Sequence, residues 1–119
     1  MFPRHPVLAV IALVAVLALL APAAAGAKTF YGTVGPGFTI TLKRANGNVL
    51  RRIGHGTHTF VIRDRGSIHN FHLLGPGVNK KTGVPFTGRR RWTVTLSAGT
   101  YRYRCDPHRM MMRGHFTVV

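Results

Sequence analysis

Acidic residues are nearly missing from this 119-residue chain: Asp64 and Asp106 stand alone against seventeen lysines and arginines, for a formal net charge of +15. Such an imbalance gives the surface a field of one sign and favours anionic partners. Cysteine is scarcer still. With Cys105 alone no intrachain disulfide can form, so a small fold must rely on a well-packed apolar core. After the N-terminal segment there is no sustained helical periodicity and no internal repeat, which excludes a helical bundle and a repeat array. No substrate-activating base, nucleophile or open second metal site is visible. The chain therefore does not read as an enzyme with bond-breaking chemistry of its own.

The one long apolar run lies at the start. Arg4 precedes it, Val7 to Ala21 is wholly apolar, Pro22 breaks it, and Ala25-Gly26-Ala27 has the small-x-small pattern of a cleavage site. This predicts a secretory signal peptide over residues 1–27 and a mature domain over residues 28–119. A retained membrane anchor is the competing reading, although the run is shorter than the ~20 residues of a spanning helix. No cysteine sits at the cleavage site, so nothing suggests a lipoprotein. The expectation is an exported protein, periplasmic or at the cell exterior.

Residues 28–119 suffice for one small domain and not for two. Removing Arg4 with the leader lowers the net charge from +15 to +14. In a cytosolic protein that excess would suggest nucleic acid. In an exported one it points instead to anionic cell-surface polymers, lipid headgroups or an acidic redox partner. The plainer alternative is that Arg51-Arg52 and Arg89-Arg90-Arg91 are solvated surface without a partner.

Strand signals fill the mature chain. Phe38, Ile40 and Leu42 alternate with polar residues, the period of a strand with one buried face. A tight turn follows at Asn46-Gly47-Asn48. Thr57 to Arg63 forms the next strand, with His58, Phe60 and Ile62 on one side, and Ile68 to Leu74 follows the Asp64-Arg65-Gly66 turn. Trp92, Val94 and Leu96 mark another, Thr100 to Cys105 another, and His115 to Val119 the last. Gly75 to Gly88, rich in glycine and proline, reads as a long irregular loop over one end of the fold, with Val84, Pro85 and Phe86 as apolar cover. The count of short strands predicts an all-β Greek-key sandwich.

In Tyr101-Arg102-Tyr103-Arg104-Cys105, strand parity puts both tyrosines and the cysteine on one face and both arginines on the other. Cys105 thus points inward at the end of a buried strand. Leu96, Gly99, Tyr101 and Tyr103 suggest a tyrosine corner, which is structural. Pro107 stops the strand, and the turn lets His108 reach the cysteine. Outside the cytoplasm an unpaired cysteine implies an intermolecular disulfide, a reactive thiol or a metal ligand, with a buried structural thiol as the bland alternative. His108 and the methionines at positions 110–112 favour the metal.

A thiolate, two imidazoles and a thioether make the donor set of a blue-copper centre. For the second imidazole, His69 and His72 are three apart and face opposite sides of a regular strand, so only one can ligate. Asn70 could bond across to the Cys105 loop. His69 is therefore the chosen ligand and His72 a surface or packing residue. The same geometry weakens a two-histidine zinc reading. His55, His58 and His115 are isolated and read as turn, core or surface residues.

His69-Asn70-Phe71-His72, then Tyr103-Arg104-Cys105-Asp106-Pro107-His108 and a Met-x-Gly entering the final strand, resemble the plastocyanin and amicyanin branch of the cupredoxins. The resemblance spans Lys28 to Val119 in strand order and is most specific in the two ligand segments. It implies one type 1 copper ion, Cu(I)/Cu(II), in a β-sandwich that shuttles single electrons. By position His69 matches the first histidine, Cys105 the thiolate and His108 the second histidine. The axial ligand departs from the pattern. Amicyanin spacing selects Met111, plastocyanin spacing falls on Arg113, which cannot ligate, and the glycine anchor in Met112-Arg113-Gly114 selects Met112, the preferred assignment, with Met111 as the alternative.

The expected function is an exported, monomeric blue-copper electron carrier that works with a redox partner, with His108 as the electron route and Pro76, Pro107 and Met110 as docking surface. Two alternatives stay open: a copper-handling protein without an electron partner, and a basic surface-binding module whose metal site is structural.

Overall fold

Alternation of apolar and polar residues sets the strands, and the joints fall where glycine or proline interrupts it. The computed structural model describes residues 1–6, 12 and 26–119. Most of the segment assigned to a signal peptide lies outside these described residues. Among them, no helix is long and apolar enough to cross a membrane. The described residues form nine strands in chain order: β1 Thr29–Val34, β2 Ile40–Arg44, β3 Arg52–Ile53, β4 Gly56–Asp64, β5 His72–Gly75, β6 Val78–Lys81, β7 Gly88–Leu96, β8 Gly99–Arg104 and β9 Arg113–Val118.

They form two sheets, ordered β2-β1-β4-β7 and β3-β9-β8-β5-β6. Pairing is antiparallel except between β1 and β4 and between β3 and β9. In β4 the residues His58, Phe60, Ile62 and Asp64 are buried, and in β8 Tyr101 and Tyr103 are, so the expected parity holds on both. The core between the sheets is aromatic: Phe30, Phe60, Phe71, Tyr101 and Phe116 are fully buried. Tyr103 stacks on Phe71 at 5.6 Å and Tyr101 on Phe116 at 5.4 Å between ring centroids.

Several features differ from the sequence expectations, the short β3 among them. β1, whose period is interrupted by Gly32, was not anticipated. It is central, because a Cβ at Gly32 would lie 2.7 Å from Ile62 Cδ1 and 2.8 Å from Phe71; the glycine makes room for core side chains from β4 and from the segment that leads into β5. The second strand starts at Ile40, not Phe38, because the chain is still turning: Gly35 N–H donates to Thr39 O at 2.9 Å. The strand expected over Ile68 to Leu74 begins only at His72, since His69 N–H closes a turn onto Gly66 O at 3.1 Å. The supposed loop Gly75 to Gly88 contains β6, which forms a tight hairpin with β5 around Pro76 and Gly77.

The tyrosine corner is present. Tyr101 donates its hydroxyl proton to Pro76 O at 2.8 Å and accepts from Ser97 N–H at 3.0 Å. Its ring lies over Gly75 so closely that an added Cβ would overlap it. Gly75→Ala should therefore destabilise the protein by about 1–3 kcal/mol through overpacking. Urea denaturation of the variant measures this, and an unchanged midpoint would mean that the corner can yield.

Candidate metal centre

The site is assembled at one end of the sandwich from two chain segments. The first is the turn between β4 and β5. Here the Asp64 carboxylate accepts from Gly66 N–H at 3.1 Å and from the Thr82 hydroxyl at 3.2 Å, while Thr82 Oγ1 accepts from Phe71 N–H at 2.9 Å. Burial pushes the Asp64 carboxyl above its ordinary value, against the Gly66 N–H, the Thr82 hydroxyl and the field of His69. The turn sets the His69 ring in a slot between two glycines. A Cβ at Gly66 would lie 2.9 Å, and one at Gly35 3.0 Å, from its Cδ2.

The second segment is the loop from β8 to β9. Cys105 is extended, and Asp106–His108 form one 3₁₀ turn with Pro107 inside it, where the missing proline N–H costs nothing. His108 N–H donates to Cys105 O at 3.1 Å, Met112 N–H to His108 O at 2.9 Å, and Cys105 N–H to Met112 O at 2.9 Å. The loop is thus closed on itself. It leaves Met112 fully buried, whereas Met111 is 67% and Met110 77% exposed.

Asn70 joins the segments. Its Oδ1 accepts from Asp106 N–H at 2.7 Å, and its amide donates to Asp106 Oδ2 at 2.9 Å and to Thr82 O at 3.2 Å. The cross-bond expected of Asn70 is made, and on both sides of the amide. His72, expected at the surface or in packing, has a larger part: it is buried, its Nδ1 lies 2.9 and 3.0 Å from the two Asp106 oxygens, and its Nε2 is 2.6 Å from Asn79 Oδ1. It lies outside the cluster, with His69 in the turn and not on the same strand, and it steadies the loop from behind. Arg104 Nε donates to the same carboxylate at 2.9 Å.

Three donor atoms converge as a result. His69 Nδ1 and His108 Nδ1 are 3.2 Å apart, and each is 3.6 Å from Cys105 Sγ. The centre of this triangle lies about 2 Å from every corner, close to the bond lengths metals make with imidazole nitrogen and thiolate sulfur. His69 Nε2 is the one buried side-chain nitrogen or oxygen without a hydrogen-bond partner among the described residues. A histidine placed for hydrogen bonding would use both nitrogens. This one is placed for its Nδ1. Two nitrogens and a sulfur aimed at one point suit a soft or borderline cation, and copper fits that donor set.

One residue of the site escaped the sequence. Phe38 was expected on a buried strand face, but it is 57% exposed and stands edge-on to both histidines, its centroid 5.5 Å from His69 and 4.9 Å from His108. Gly35-Pro36-Gly37 just before it was the available signal of a turn rather than a strand. Apolar cover thus comes from Phe38. Phe86, given that role from sequence, packs by Gly88 under the Arg90 guanidinium.

Burial pushes the Asp106 carboxyl up, but hydrogen bonds from Asn70, His72 and Arg104 outweigh it and hold the group at about 2, below the ordinary 3.8. A carboxyl depressed on folding stabilises the fold above its unfolded value, and that stability is lost as pH falls through the folded value. The metal-free protein should therefore lose roughly 2 kcal/mol from this group as pH drops from near 4 to about 2. Denaturation over that range tests it; Asp106→Asn should be less stable at neutral pH and flatter across the acid window, and an acid loss equal to wild type would remove Asp106 from this role.

Comparison with known proteins agrees with the geometry. No curated protein sequence matches the chain. Solved structures of rusticyanin share the fold. A methionine-to-glutamine mutant of rusticyanin at 1.5 Å aligns with TM-score 0.57 and 23% identity over 79% of this chain and 80% of that chain. Reduced rusticyanin at 1.9 Å gives TM-score 0.57 and 23% identity over 79% and 81%. Rusticyanin from Thiobacillus ferrooxidans at 1.27 Å gives 0.53 and 25% over 79% of each. The sandwich is thus a cupredoxin fold. The family model described as copper binding proteins, plastocyanin/azurin family, matches residues 50–119. That stretch is more than half of the chain and includes all three converging side chains, so the protein belongs to the plastocyanin/azurin family of copper-binding proteins.

Proposed function

We propose that this protein is an exported single-electron carrier, not an enzyme, in which His69, Cys105 and His108 would hold a type 1 copper ion with Met112 as the thioether donor. The observation that carries the reading is the convergence of two imidazole nitrogens and the only thiol of the chain within hydrogen-bond-like distances of one another. Copper bound there supplies a one-electron Cu(I)/Cu(II) couple.

The protein's own part is to hold the donors still. Cys105, as thiolate, is anchored through its own N–H to Met112 O and through the next peptide to Asn70. His69 is wedged between Gly35 and Gly66. A donor set fixed by strands and hydrogen bonds moves little when charge is gained or lost, so little reorganisation opposes the transfer. His108, only partly buried and beside the exposed Pro107 and Met110, is the exit for the electron. Phe38 limits water at the two imidazoles. Burial favours Met112 over Met111 as the axial donor, because an exposed thioether would have to leave water and turn inward.

Export rests on the charged start, apolar run and small-residue site within residues 1–27, with residues 28–119 as the mature domain. An unpaired thiol in an oxidising compartment is protected when buried on a metal. The excess of positive charge suits an acidic redox partner or anionic cell-surface polymers.

Loading the purified protein with Cu(II) should produce the intense visible absorption of a thiolate-copper bond, and Cys105→Ser should abolish it; a colourless wild type would sink the electron-carrier reading. Met112→Leu should keep the colour but raise the redox potential, since the lost thioether no longer donates to Cu(II). Met111→Leu should leave the potential unchanged. Voltammetry of both variants decides the axial donor, and the reverse result would assign it to Met111.

A further inference from the structure

β8 and β9 pair so that Arg104 faces Arg113 and Arg102 faces His115, all on the outer side of the five-stranded sheet. Like charges directly opposite each other weaken a sheet. The chain has two carboxylate side chains with which to offset them. Asp64 is engaged by Gly66 and Thr82, and Asp106, shared with Asn70 and His72, pairs with one of these arginines, Arg104. Arg102 and Arg113, together with Arg109 on the ligand loop, are exposed with no acidic side chain left for them.

These groups do not sit on a flat surface. Arg102, Arg104, Arg109, Arg113 and His115 border a groove of about 500 Å³ whose walls, with Leu74 and Met110 among them, are mostly apolar. Arginine is suited to such a place, because its planar fork grips a carboxylate through two hydrogen bonds while its stem rests on apolar atoms. The groove also lies against the metal centre: Arg104 is joined to Cys105 and Arg109 to His108 by single peptide bonds.

We propose that this groove seats a carboxylate-rich segment of the protein with which the chain exchanges electrons; the identity of that partner as a redox protein rests on the electron-carrier reading above. Charge complementarity selects an acidic occupant, and shape selects a chain segment. An anionic membrane would meet cations on a convex or flat face, whereas these cations flank a groove with mostly apolar walls. A partner held there grips residues one peptide bond away from Cys105 and from His108. Encounter is steered by charge and slows as salt screens it.

The test uses fluorescein-labelled octaglutamate titrated into the full copper-loaded chain, read by anisotropy. Arg102→Gln/Arg113→Gln is compared with Arg63→Gln/Arg89→Gln, an opposed arginine pair on the other sheet whose loss changes the net charge equally. The groove pair should weaken binding about tenfold, the equivalent of one lost bidentate contact or two weaker ones, and the distal pair less than about twofold. Because both substitutions remove repulsion within a sheet, neither should unfold the protein; Arg109→Gln, on the loop, should weaken binding by itself and guards against a change confined to the strands. Equal losses in the two double variants would overturn the groove in favour of net charge alone. Tighter, groove-dependent binding to phosphatidylglycerol vesicles than to the peptide would overturn the acidic-segment occupant. Anisotropy does not depend on the copper colour, so a colourless protein that still binds the peptide at the groove overturns the redox partner, whereas a blue one that does not overturns the docking surface.

Discussion

The metal centre depends on one reciprocal contact, in which the Asn70 amide accepts from the Asp106 N–H and donates to the Asp106 carboxylate across 36 residues of sequence. His69 and Cys105 belong to different loops, and each loop could be well folded without facing the other. The pair of bonds makes their relative position a matter of covalent geometry plus two short contacts. It is partly shielded from water, where an unmade amide bond would cost about 1–3 kcal/mol, so the loops are held in one register. His72 and Arg104 then fix the far side of the same carboxylate. Removing the carboxylate would leave His72 Nδ1, Arg104 Nε and the Asn70 amide without their shared acceptor.

The scarcity of acid gives this arrangement its economy. The chain has two carboxylate side chains, and each braces one of the two ligand-bearing segments, Asp64 the His69 turn and Asp106 the Cys105 loop. Little is left to neutralise the arginines elsewhere, which face one another across β8 and β9 and across β4 and β7. With both carboxylates committed to the donor-bearing segments, the outside is left strongly cationic.

Much of this was legible in the sequence where a local rule operates. Parity along Tyr101 to Cys105 put the thiol on the buried face, and Pro107 ended the strand where the turn begins. The choice of His69 over His72 as the residue that meets Cys105 held, although its premise of one regular strand through both did not, since His69 lies in a turn. Short-range rules failed where contacts between sheets decide. Gly32 interrupts the period of β1 because two core side chains from elsewhere occupy its space. Phe38 continues the alternation of Ile40 and Leu42 yet lies outside the strand, because the preceding turn swings it over the histidines. β6 is polar and exposed after Val78 and covers little core, so it carried no pattern to read.

The sequence by itself determined the all-β class, the buried direction of Cys105 and the chemical identity of the donors, since these follow from side-chain period and from the atoms each residue owns. Only the tertiary structure decided that His69 Nδ1, His108 Nδ1 and Cys105 Sγ meet within 3.2–3.6 Å, that Met112 rather than Met111 is inside, and that Phe38 covers the site. Those outcomes hang on how two loops far apart in the chain are bonded to each other, and on which neighbours leave room for a ring or a thioether. No local pattern encodes such distances, because they are set by packing across the sandwich.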